Sequence, residues 1–87
     1  MLIRPTDAEV DWYPNPVRDV LHVRPGIAST SMKVRLFSAT GTKVLEENVT
    51  GSAFEPADID VRGLAPGTYS ISVECGGREQ TGVVVKI

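Results

Sequence analysis

Leu64-Ala65-Pro66-Gly67-Thr68-Tyr69-Ser70-Ile71-Ser72-Val73-Glu74 decides the fold class. From Tyr69 onward apolar and polar residues alternate. Tyr69, Ile71 and Val73 share one face and Ser70, Ser72 and Glu74 the other, the period of a half-buried strand. The bend at Pro66-Gly67 comes just before it. A tyrosine that opens a strand after such a bend has the arrangement of a tyrosine corner, whose phenol bonds to backbone a few residues upstream and pins a crossing between two sheets. Its ring fills core while its hydroxyl satisfies a buried polar group. Leu64, Gly67 and Tyr69 are therefore read as structural residues of a sandwich. The lone Cys75 cannot close the inter-sheet disulfide of antibody domains and, in phase with Ile71 and Val73, is read as a small buried hydrophobe.

The same period recurs outward from this stretch. Leu21 and Val23 alternate with His22 and Arg24; Met32, Val34 and Leu36 alternate with Lys33 and Arg35; Ile59 and Val61 alternate with Asp58, Asp60 and Arg62. Val83-Val84-Val85 is β-branched throughout and reads as a strand shielded on both faces or paired at an edge. No window carries the i, i+3, i+4, i+7 spacing of a helix. Breakers fall between the runs: Pro14 and Pro16 around Asn15, Pro25-Gly26, Ala39-Thr40-Gly41-Thr42, Thr50-Gly51-Ser52 and Gly76-Gly77. Gly41 is assigned the positive φ of a tight hairpin. The spacing predicts strands over 9–13, 19–24, 31–38, 42–49, 54–61, 68–75 and 79–86. Together they form an all-β, immunoglobulin-like, seven-stranded antiparallel β-sandwich spanning 9–87, with 1–8 as a linker. Trp12 is expected to anchor one end of the core.

The chain has 87 residues, a formal net charge of −2, 41% hydrophobic and 23% charged residues, which describes one ordinary globular domain. Weak acidity leaves no basic face to draw in nucleic acid or anionic lipid. One histidine and one cysteine cannot build a zinc site. A domain this small buries only about 60–65% of its unfolded surface, so nearly every inward residue is needed for the core. A binding or signalling module is favoured over an enzyme. His22 has no nucleophile placed with it by any motif. Glu55, Asp58 and Asp60 form the densest acidic cluster, but without a glycine-bearing ligand loop they read as a solvated strand face. No catalytic, metal or cofactor residue is assigned. Phe37, out of phase with Val34 and Leu36, is read either as exposed or as packed under a loop.

Two stretches are more than connectors. Tyr13-Pro14-Asn15-Pro16 is stiffened by two prolines, each of which also restrains the residue before it. Val83-Val84-Val85-Lys86-Ile87 closes the sequence without a polar tail. With these, four blocks in order resemble the type A C-terminal sorting domain of the type IX (Por) secretion system of Gram-negative bacteria. Tyr13-Pro14-Asn15-Pro16 with Leu21 and Val23 is similar to its opening block. Val34 to Val44, around Gly41, is similar to the second, and Ile59 to Val73, with Leu64, Gly67 and Tyr69, to the third. Gly82 to Ile87, with its basic Lys86, is similar to the last. Val61 and Arg62 stand where the family often has Leu and Ser, and Thr40 and Thr42 flank Gly41 where acidic or amide and basic residues are common.

The resemblance implies a C-terminal secretion signal, read by the type IX translocon, that directs an N-terminal passenger from the periplasm across the outer membrane to the cell surface. A sortase-like peptidase commonly removes such a domain and joins the passenger to lipopolysaccharide. Cleavage is expected in or before residues 1–9, with Met1 an internal start and the passenger upstream. Tyr13, Pro14, Asn15 and Pro16, with Val83, Val84, Val85, Lys86 and Ile87, are the candidate recognition residues. Val83 to Val85 is also expected to offer an edge for homodimerisation by strand addition. The alternative reading is a fibronectin-like or immunoglobulin-like accessory module that binds glycan or protein. It accounts for Tyr69 but not for Tyr13-Pro14-Asn15-Pro16 or the terminal block.

Overall fold

The computed structural model describes residues 10–26 and 30–87, so the linker expected over 1–8 lies outside the described residues. Seven strands follow one another: β1 (Val10–Tyr13), β2 (Val20–Pro25), β3 (Thr30–Phe37), β4 (Lys43–Gly51), β5 (Ala57–Asp60), β6 (Gly67–Cys75) and β7 (Arg78–Lys86). They form two antiparallel sheets, a three-stranded one in the order β1-β2-β5 and a four-stranded one in the order β4-β3-β6-β7. The described residues contain no helix. This is an open, immunoglobulin-like sandwich. Its fourth strand lies beside β3 rather than in the three-stranded sheet, unlike the constant antibody domain.

The alternation in sequence becomes the division between core and surface. Leu21, Val34, Leu36, Ile59, Ile71 and Val73 are fully buried between the sheets, with Val17, Val23, Met32, Val61 and Val84 beside them. Cys75 is buried and unpaired. Full burial of one such aliphatic side chain contributes about 1.5–3 kcal/mol, and this layer is the main source of stability. The hairpins follow their glycines. Gly76 and Gly77, at φ 62° and 80°, make the two-residue turn between β6 and β7. Gly41, at φ 91°, turns β3 into β4, closed by bonds from Ser38 N to Thr42 O (2.8 Å) and Gly41 N to Ser38 O (2.9 Å).

One expectation is corrected. The fifth strand starts at Ala57 rather than at 54. The Ser52 hydroxyl accepts from the amides of Phe54 and Glu55, which takes those donors into a turn before a ladder can use them. Phe37 is half-buried, whereas Phe54 on that turn is 93% accessible. On the four-stranded sheet β4 is an edge, and Glu47 shares the inward phase of Leu45 and Val49 yet remains exposed. An inward-pointing charge on an edge strand discourages pairing with another chain.

Candidate recognition face

The chain leaves β1 at Tyr13 and crosses to the other sheet through Pro14-Asn15-Pro16, with cis bonds at Tyr13–Pro14 and Asn15–Pro16. Neither proline can donate a backbone hydrogen bond, so a ladder is unavailable here. The Asn15 side chain takes its place. Its Nδ2 donates to Val83 O (3.0 Å), and its Oδ1 accepts from Val85 N (2.9 Å). The amide thus bonds the edge of β7 as a neighbouring peptide group would. Val17 continues as a parallel bridge to Lys86, with Val17 N donating to Val85 O (2.7 Å) and Ile87 N donating to Val17 O (2.9 Å). Its side chain is 1% exposed, so the strap is anchored in the core.

A second amide does the reverse at the other end of this seam. Gln80 Oε1 accepts from Val10 N (2.9 Å), and Gln80 Nε2 donates to Val10 O (2.8 Å). Between the two amides Trp12 of β1 lies over Gly82. A Cβ on Gly82 would overlap indole Cζ2 and come within 3.0 Å of Cη2. Trp12 is partly buried against the core, as expected of an anchor. The first and last segments of the domain are therefore bound along their length.

The structure thus brings Tyr13 to Pro16 and Val83 to Ile87 side by side. Pro14, Asn15 and Pro16 are exposed, Tyr13 is 37% accessible, and Val83 and Ile87 are each 52% accessible. Val85 is half-buried, whereas Val84 and Lys86 face inward at 1% and 8%. Lys86 Nζ donates to the main-chain oxygen of Ile87 (2.9 Å). The edge expected to be free at Val83 to Val85 is in part occupied: its main-chain groups at Val83 O, Val85 N and Val85 O already bond the strap.

Neighbouring elements hold this end in place. The Tyr69 hydroxyl donates to Ala65 O, four residues upstream, and Gly67 pairs with Lys86, so the corner braces the terminal strand. Leu64 packs against the core within that corner. A shallow cleft lined by Ser38, Ala39, Thr40, Pro66, Gly67 and Thr68 separates it from the Gly41 hairpin. On the three-stranded sheet the Tyr13 ring lies 5.3 Å from His22 and 5.9 Å from the Arg24 guanidinium carbon. His22 in turn meets Asp58 (2.7 Å), and Arg24 donates to Asp11 (2.8 Å).

The charges lie elsewhere. On the outer face of the four-stranded sheet Arg35 bridges Glu46 and Glu74. Hydrogen bonds from Lys43 and then Arg35 hold the Glu46 carboxyl below its ordinary range. The Arg62 side chain, then its backbone N–H, lowers Asp60 to about 2. Asp58 and Asp60 thus pair with His22 and Arg62, and among the described residues no three His, Cys, Asp or Glu side chains are grouped to hold a metal. Val17, Gln80 and Trp12 belong to the seam although they were not singled out for it. The signal that could have found the contact is Gly82, a glycine inside a β-branched strand, which marks close approach by another group.

The sequence profile of the family described as "Secretion system C-terminal sorting domain" matches residues 11–86. No curated protein matches the chain. Among solved structures, dimeric latent PorU from Porphyromonas gingivalis is similar, with a TM-score of 0.54 and 20% identity over 90% of this chain and 9% of that one. That likeness is one of fold. Over nearly all of its length, the chain belongs to the family of C-terminal sorting domains that are the signals of type IX (Por) secretion.

Proposed function

We propose that the translocon reads the face formed by Tyr13 to Pro16 and Val83 to Ile87, and thereby carries a passenger joined ahead of the domain across the outer membrane to the cell surface. The observation that supports this most is the joining of two segments 68 to 70 residues apart by the Asn15 amide, with exposed apolar groups on both. Val83 and Ile87 are half-accessible, and Tyr13 more than a third. Covering each against a receptor would contribute on the order of 1 kcal/mol. Prolines limit the motion lost on binding, which lowers the entropic cost of recognition.

A sorting signal is not itself catalytic. In this reading the chemistry belongs to a sortase-like peptidase, for which the domain is substrate. It cuts in or before residues 1–9 and transfers the passenger to lipopolysaccharide. The test is a fluorescent passenger with a signal peptide, fused to residues 1–87 and expressed with an intact type IX system. Cells should display the fluorophore at their surface. They should retain it in the periplasm when Gly82 to Ile87 are deleted, and also when only the exposed positions are changed, by Val83→Ser with Ile87→Ser. Normal display of both variants would overturn the proposal.

A further inference from the structure

The proposed face has parts from both ends of the domain: β7 is held by β6 along one side, whereas the strap has no ladder of its own. The strap carries two prolines, which cannot donate to a ladder. Its attachments to β7 are the two Asn15 bonds and the two Val17 main-chain bonds. Conversely, β7 has β6 on one side only, and its other edge at Val83 to Ile87 is completed by that same strap. Val17 is buried in the same core cluster as Leu21, Val61 and Val84, so its site exists only once that core has assembled. The exposed Asn15 sits outside that core, where its side chain adds nothing to apolar packing.

We infer that the Asn15 strap is a clasp that makes completion of the sandwich a condition for recognition. Resting on the reading above, the inference assigns Asn15 a positioning role. A domain whose first and last segments have not met lacks the joined face, and its passenger is not accepted. Asn15 would act by setting the edge of β7 rather than by stabilising the core.

Amide exchange, read residue by residue on the 87-residue domain, tests the clasp directly. In the wild type, Val85 and Ile87 amides should be as protected as those of Val34 and Val73 in the core strands. Free exchange of Val85 and Ile87 beside a protected core would overturn the inference without any variant. Asn15→Ala removes both side-chain bonds; Asn15→Asp keeps the acceptor for Val85 N but sets a carboxylate against Val83 O. The Ala variant should keep the wild-type circular dichroism while Val85 exchange accelerates about tenfold or more, as expected for two lost hydrogen bonds. Surface display of the fused passenger should fall several-fold, with the Asp variant in between. Should the Ala variant unfold, the Asp variant decides. Display at wild-type level from a variant with loosened Val85 would overturn the clasp while the Gly82 to Ile87 deletion still blocks display. Normal display from that deletion would instead bring down the underlying reading.

Discussion

Replacing Gly82 with alanine puts a methyl group where the Trp12 indole lies. The added Cβ overlaps Cζ2 and stands 3.0 Å from Cη2 and 3.4 Å from Cε2, so the ring must move. It has little freedom to do so. Trp12 of β1 pairs with Val23 of β2, and the chain on either side is tied to β7 by Gln80 and Asn15. Overpacking of this kind costs about 1–3 kcal/mol. Alanine recovers about 0.5–1 kcal/mol of chain entropy relative to glycine in a strand. The net loss is then about 1–2 kcal/mol, and for a domain of this size each kcal/mol moves Tm by about 4–8 °C. Gly82→Ala should therefore melt about 5–15 °C lower by circular dichroism. Trp12 is the only tryptophan, so its emission reports the displacement directly and should shift to the red. Adding Trp12→Leu should give back about 1 kcal/mol through the pair's coupling. An alanine variant with unchanged Tm and emission would refute the assignment of Gly82 as the seat of the indole.

Tyr69→Phe removes the bond to Ala65 O and keeps the buried ring; a loss of about 0.5–1.5 kcal/mol in denaturant melts is expected, and none would remove the corner from the list of stabilising features. Glu46→Val with Glu47→Val removes both carboxylates from the edge strand β4, and the variant should sediment as larger species where the wild type does not. Asp60 should titrate at about 2 by carboxyl carbon shifts, and Arg62→Ala should return it to the ordinary value near 4. Because the folded value is depressed, the pair's contribution is fully present above about pH 4 and is lost as pH falls through 2; a titration near 4 in the wild type would contradict the pairing.

Most of the sheet was legible because alternation states the phase of each strand directly. Tyr69, Ile71 and Val73 face inward as that period requires. Ser72, in the outward phase, is nonetheless 5% exposed, since neighbouring side chains cover it and Glu79 accepts its hydroxyl. The period gives a face, not the height of what stands around it. In Val83-Val84-Val85 there is no alternation to read, so the inward turn of Lys86 could not be told from an outward one. The residues of the candidate face were visible as unusual sequence, but their juxtaposition was not. Asn15 between prolines reads as a stiff presenter, and only the fold shows its amide standing in for a strand. Its partners lie 68 and 70 positions away, and no local rule connects them.

The seam has a mechanical consequence. From Val10 to Val17 the chain runs beside β7 in the same direction, from Gln80 to Ile87. A pull on the chain ahead of Val10, resisted at Ile87, slides one segment lengthwise along the other. The six hydrogen bonds between them then carry the load together in shear, rather than opening one by one as in a peeled hairpin. A domain whose first and last strands are joined in this way stays shut under tension along its own axis.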